Sequence, residues 1–186
     1  MDQIGIILKA LNFAAQKHRD QRRKDIEASP YINHPIGLVH LLWHEAQVTD
    51  PIVLVAALLH DTVEDTDTSF EELAEEFGLE IQQVVAEVTD DKSLAKEVRK
   101  QLQIDHAGQA SLSAKLVKLA DKICNLRDLA SSPPESWTLE RRREYFEWAK
   151  QVVDQMRGTH QVLEQIFDRA YQQGVTQLQD SPLGQM

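Results

Sequence analysis

The sequence predicts an all-α protein, a bundle of about seven or eight helices. Apolar residues recur at spacings of three and four along most of the chain, the repeat of a helix with one buried face. No segment of useful length alternates apolar and polar, as a half-buried strand must. Proline and capping residues stand where several helices should begin.

Each element follows from these signals. Ile4, Leu8, Leu11 and Ala15 give one apolar face over roughly residues 2–18. Pro35 suits a first helical turn, and Leu38, Val39, Leu41, Leu42 and Trp43 continue behind it. Asp50 and Pro51 supply the cap and first turn of a third helix. Ile52 to Leu59 is apolar on every side, which places that helix at the centre. Thr68 with Glu71, and Ser69 with Glu72, each fit a capping box. They open a helix through Leu73, Phe77, Ile81 and Val85, with Gly78 as its weak point. A polar, charged stretch covers Asp90 to Lys100, and Gly108 to Ser113 reads as a loop. Leu116, Leu119, Ile123, Leu126 and Leu129 form an amphipathic helix, stopped by Ser131-Ser132-Pro133-Pro134. Two further helices are expected over about 138–156 and 160–172, parted near Gly158. Residues 1–174 are expected to form a single domain, and residues 175–186, with few apolar groups, a disordered tail.

Composition narrows the function. Among 186 residues, 30 acids against 20 bases give a formal charge of −10. That excludes a generally basic nucleic-acid surface, while leaving room for a local basic pocket that holds a nucleotide. The longest apolar run, Ile52 to Leu59, falls far short of the roughly 20 residues that span a bilayer. Cys124 is the single cysteine, so no intrachain disulfide can form. The opening Met1-Asp2-Gln3 lacks the features of a signal peptide. Both point to the cytoplasm.

The chemistry gathers at Leu58-Leu59-His60-Asp61-Thr62-Val63-Glu64-Asp65. His60 and Glu64 lie four apart and share a helix face; Asp61 and Asp65 share the neighbouring face. All four can border one cavity at the end of the apolar helix. The plain alternative is a solvated helix end with caps and ion pairs. His34 precedes another helix, and Asp121 flanks the apolar face of the amphipathic helix with Asn125 one turn on. Two histidines and two aspartates from three helices suit a divalent first-row metal, and positions left open for water would make the site hydrolytic. Mn²⁺, Fe²⁺ and Zn²⁺ all fit. Local positive groups are available at Arg19, Arg22, Arg23 and Lys24, and in the stripe Lys115, Lys118, Lys122 beside Asp121. His18, His40 and Cys124 read as packing or surface groups.

The ordered set H…HD…D on a helical chain resembles the HD phosphohydrolase superfamily. Arg22-Arg23-Lys24-Asp25, Pro30-Tyr31-Ile32-Asn33-His34-Pro35, Ala56 to Thr66 and Val117-Lys118-Leu119-Ala120-Asp121-Lys122 are similar to the hydrolase domain of RelA/SpoT-type alarmone enzymes. The similarity runs from about residue 8 to 157 and is strongest to the stand-alone small alarmone hydrolases of the metazoan SpoT-homologue type. Over these 186 residues the resemblance leads one to expect the hydrolase domain without the synthetase or regulatory domains of the long members. The resemblance implies an HD-domain bundle that hydrolyses the 3′-pyrophosphate of ppGpp or pppGpp to GDP or GTP plus pyrophosphate, using one divalent metal, usually Mn²⁺. It implies that His34, His60, Asp61 and Asp121 are metal ligands and that Glu64 and Asp65 are the catalytic acidic pair. Arg23, Lys24 and Asn125 match substrate-binding positions; Lys96, Arg141 and Tyr145 are further phosphate or nucleotide contacts. Asp25 to Ser29 lacks the glycine often found before Pro-Tyr in the family, so the turn beside the base pocket should differ. Two other readings remain: a phosphatase acting on another 2′- or 3′-phosphorylated nucleotide such as NADPH, and a non-catalytic nucleotide-binding HD module. The intact set of acids and histidines argues against the second. The expected partner is a small-molecule nucleotide, with no nucleic acid and no membrane; the sequence carries no signal for oligomeric state.

Overall fold

A computed structural model describes residues 2–180. Helix α1 (Gln3–Lys17) starts at Asp2, whose carboxylate accepts the Gly5 N–H at 2.6 Å. A loop closed by an antiparallel bridge between Arg22 and Pro30 leads into α2 (Asn33–His40). Pro35 sits in its first turn, and the helix runs on into one π-helical turn, Leu41–Glu45. Among the described residues there is no strand, so the all-α expectation holds.

Helix α3 (Pro51–Leu59) begins at Asp50, which caps the Ile52 N–H at 2.9 Å. Residues Val53 through Leu59 are all buried, as a helix apolar on every side requires. It packs against α1, α2, the later helix α6 (Leu79–Val88) and the long α8 (Leu112–Ser131). Fully burying each leucine is worth about 1.5–3 kcal/mol, so this helix is the rigid post on which the site is built. It does not continue unbroken through Asp65: the chain turns at His60 and Asp61 into the single turn α4 (Thr62–Asp65).

Ser69, not Thr68, caps α5 (Phe70–Phe77), accepting the Glu72 N–H at 3.1 Å. The Thr68 hydroxyl bonds Thr66 instead, at 2.8 Å. Gly78 adopts φ +90°, a left-handed conformation that L side chains avoid, and so splits the single expected helix into α5 and α6. The charged stretch before Gly108 is partly helical, as α7 (Lys96–Ala107), with Ala107 buried. The amphipathic segment becomes α8, capped by Ser111, and Thr138 caps α9 (Leu139–Asp154).

Helix α10 (Gln161–Asp180) corrects the expected tail. It carries on past residue 174 because Leu178 still buries its side chain against the body of the protein and Arg143 donates to the Leu178 carbonyl at 2.8 Å. Residues 181–186, the remainder of that expected tail, lie outside the described residues. Gly174 lets α10 approach α9: a Cβ there would sit 2.0 Å from Phe146 Cε1.

Candidate active site

Three helices deliver the chemistry to one point. His34 comes from the first turn of α2, His60 from the end of α3, and Asp121 from the middle of α8. One ligand atom from each lies within 4.8 Å of the other two. His34 Nε2 is 3.2 Å from Asp121 Oδ1, and His60 Nε2 is 3.9 Å from the same oxygen. His34 and His60 are 5% exposed. The His60 Nδ1–H donates to the Ala57 carbonyl at 2.9 Å, which directs Nε2 inward. Nε2 is buried and faces the carboxylates of Asp61 and Asp121. A carbonyl behind one ring nitrogen, with the other turned toward carboxylates, is the arrangement of a metal-binding histidine. Asp61 borders the group, with Oδ2 2.9 Å from His60 Nε2, and the same oxygen accepts the Tyr31 hydroxyl. The donor set therefore fits a divalent cation.

Electrostatics agree with that reading. Burial alone would lower the His60 pKa; the Asp61 carboxylate, then Asp121, outweigh it and push it up to about 9. Burial lowers His34 despite Asp121 beside it. Asp121 resists its own burial because Lys122, His34 and His60 surround it, and it stays well below the usual carboxylate range. Asp61 is likewise held low, by His60. The pocket's own side chains are thus a cluster of fixed carboxylates sharing one imidazolium.

Glu64 and Asp65 stand on α4 beside this cluster. Glu64 accepts the Asp90 N–H at 3.1 Å and lies 3.6 Å from Arg99. Burial, helped by the neighbouring Asp61 and opposed by the Asp90 amide, raises its pKa to about 6. Asp65 accepts from Gln21 at 2.9 Å and pairs with Lys92. Gln21 is fixed in turn by His18 Nδ1, 2.6 Å from its Oε1. His18 is buried and packs against Tyr31, ring centroids 4.8 Å apart.

Two cavities meet here. The inner one, of about 220 Å³, is bordered by His34, His60, Asp61, Glu64, Asp65 and Asp121. The outer one, of about 720 Å³, runs along Arg22 to Asp25, Asn125, Arg127 and Trp137. Arg23, Tyr31, His34, Asp65, Asn125 and Tyr145 line both. An outer volume of this size is typical of small-molecule sites.

The HD-domain family profile matches residues 10–147. The chain belongs to the HD-domain family. Within that family, a Xenopus tropicalis protein named guanosine-3′,5′-bis(diphosphate) 3′-pyrophosphohydrolase MESH1 is 56% identical over 167 residues, covering 90% of this chain and 93% of that protein. The Homo sapiens protein of the same name matches with the same identity and coverage. A solved structure of a metazoan SpoT ortholog that hydrolyzes ppGpp aligns with a TM-score of 0.88 at 54% identity, over 90% of this chain and 94% of that one.

The HD constellation brings together most of the residues the sequence singled out. Arg23 forms an ion pair with Asp128 at 2.5 Å and donates to Asn125 Oδ1 at 3.3 Å. Asn125 Nδ2 donates to Asp121 at 2.6 Å, so it ties Arg23 to the His34–His60–Asp121 group. Lys24 is exposed and lines the outer cavity. Tyr145 lies between Trp137 and Trp148, its phenol kept protonated by burial. Lys96 and Arg141 border neither cavity; both are exposed, and Arg141 stacks on Trp137 at 4.3 Å. Cys124 is a packed thiol, with burial raising its pKa to about 12. Sequence reasoning gave no role to Gln21, Arg99, Asp90 or the Tyr31 hydroxyl, which contact Asp65, Glu64, Glu64 and Asp61 respectively. Their partners are distant in sequence; only Tyr31 had a signal, its place one turn before His34.

Proposed function

We propose that this chain is a metal-dependent guanosine-3′,5′-bis(diphosphate) 3′-pyrophosphohydrolase that converts (p)ppGpp and water to GDP or GTP and pyrophosphate. The observation that carries the reading is the shared wall of the two cavities. A nucleotide seated in the outer cavity would present its 3′-diphosphate to the inner one, beside His34, His60, Asp61 and Asp121. These four residues would hold one divalent cation, Mn²⁺ by likeness to the family. Bound there, the ion supplies charge neutralisation for phosphoryl oxygens and eases deprotonation of water.

The remaining chemistry belongs to side chains. Glu64 accepts the proton of the attacking water; a carboxyl raised toward neutrality suits a general base. Asp65, held by Gln21 and Lys92, orients that water. Attack falls on the phosphorus bonded to the ribose 3′ oxygen, the P–O3′ bond breaks, and the 3′ oxygen takes up a proton. Pyrophosphate leaves carrying the oxygen of water. Arg23, Lys24 and Asn125 hold the nucleotide, and Tyr145 closes the wall between the cavities. Arg141, stacked on the Trp137 that lines the outer cavity, is the nearer candidate for a distal phosphate, whereas Lys96 borders neither cavity and takes no part. The lone cysteine, together with the absence of a helix long and apolar enough to cross a membrane among the described residues, supports a cytoplasmic setting.

Hydrolysis of ppGpp in H₂¹⁸O tests the reading. The label is expected in pyrophosphate; orthophosphate as the only product would refute it. Side-by-side rates on NADPH measure the competing phosphatase activity. Asp61→Ala and Asp121→Ala are each expected to abolish metal uptake and turnover, and retained activity in either would overturn the ligand assignment.

A further inference from the structure

We propose that Lys118 is the anion-binding group that grips the transferred diphosphate at the inner wall of the metal cavity. This rests on the pyrophosphohydrolase reading and assigns a substrate contact within it. Lys118, Asp121 and Lys122 lie three and four residues apart on α8 and so share a face. Both lysines are nearly buried, Lys118 being 9% exposed and Lys122 4%. Lys122 is accounted for: it pairs with Asp121 at 3.0 Å and lies 4.4 Å over the Trp148 ring. Lys118 has no hydrogen bond or ion pair among the described residues.

The carboxylates that face Lys118 are already committed. Asp90 accepts from Gln103 at 2.8 Å, Glu64 is held by the Asp90 N–H, and Asp121 is held by Asn125 and Lys122. A buried cation without a direct partner is costly. Burial, and then repulsion from Lys122, bring its pKa down to about 8, so it still carries charge at neutral pH. Lys118 lines the inner cavity but not the outer one. It also faces a third, neighbouring cavity of about 390 Å³. A nucleotide entering from the outer side would therefore reach it last, with the far end of its diphosphate. An anion arriving there supplies the partner the fold withholds, and the site gives up the cost of the unpaired charge only when substrate is bound.

The test uses the Mn²⁺-loaded protein with inorganic pyrophosphate and GDP as inhibitors of ppGpp hydrolysis. In Lys118→Met the inhibition constant for pyrophosphate is expected to rise about tenfold or more, the loss of one charged hydrogen bond. The constant for GDP and the affinity for Mn²⁺ are expected to stay within about twofold. The melting temperature of this variant should equal or exceed wild type, because an unpaired buried charge has been removed. Lys118→Arg should keep pyrophosphate inhibition within about threefold. Unchanged pyrophosphate inhibition in Lys118→Met, or equal weakening for pyrophosphate and GDP, would overturn the assignment. Should Lys118→Met fail to fold, Lys118→Gln carries the same comparison. A wild-type protein that releases no pyrophosphate from ppGpp refutes the hydrolase reading instead; calorimetry of pyrophosphate binding to the two Mn²⁺-loaded proteins still decides Lys118.

Discussion

Metal uptake is predicted to expel one proton, and that proton comes from His60. In the metal-free protein burial would lower this imidazole, but Asp61 and Asp121 hold its pKa up to about 9. A ligand nitrogen must be unprotonated to bind a metal. His34 is already neutral because burial lowers it, and Asp61 and Asp121 are already ionised. Only His60 therefore has a proton to lose at neutral pH. The apparent association constant should rise about tenfold for each pH unit below 9. Between pH 6.5 and 8.5 that is about 100-fold, or about 2.7 kcal/mol. Mn²⁺ titrations at three pH values, with free ion read by paramagnetic resonance, measure the slope. Calorimetry in buffers of different ionisation enthalpy counts the protons. A flat dependence would refute the argument. The same shift sets the sign for stability of the metal-free fold. The raised pKa contributes stability that is complete below pH 6.5 and lost as pH rises through about 9.

Three further outcomes follow from the geometry. Gly174→Ala places a methyl 2.0 Å from Phe146 Cε1, and thermal unfolding should register a loss of about 1–3 kcal/mol from overpacking. Arg99→Met removes the cation 3.6 Å from Glu64; kcat should fall by up to about 10²-fold, the lower end of what a positioned general base contributes, while Mn²⁺ affinity measured by titration stays the same. Chelation should lower the melting temperature: ion at 100 times its Kd contributes about 2.7 kcal/mol, or roughly 5–10 °C for a chain of this size. A calorimetric scan with and without EDTA that shows no difference would count against a resident metal.

How much of this was legible in the sequence depends on the range of the physics involved. Helix periodicity is local, so α1, α3, α8 and α9 were readable from apolar spacing. Helix α7 was not, because its face is polar and it is held by packing of Trp148, which donates to the Lys100 carbonyl at 3.1 Å. The break at Gly78 was visible as a weak point, but only the backbone angle turns a weak point into an end. The extension of α10 to Asp180 depends on burial of one leucine by distant helices, which no window of composition contains. At the site, His34, His60, Asp61 and Asp121 were written in motif strings. Lys118 lay in one of those strings beside Asp121, and its isolation was hidden. Whether a lysine is paired depends on what every other element brings near it.

The hydrogen bond from His60 Nδ1 to the Ala57 carbonyl also has a bearing on how the protein can change. That carbonyl is one of those left over where α3 ends, and the imidazole is what satisfies it. The terminus of the central helix and the aim of Nε2 are thus one and the same interaction. A substitution that replaces the histidine forfeits the helix stop along with that nitrogen, and one that frays the helix end swings Nε2 away. Drift at this corner is visible to selection twice, through folding yield and through turnover. The loop around Lys24 takes no part in that interaction and is held instead by the Arg22–Pro30 bridge and by the Ser29 N–H donating to Asp25 at 3.0 Å.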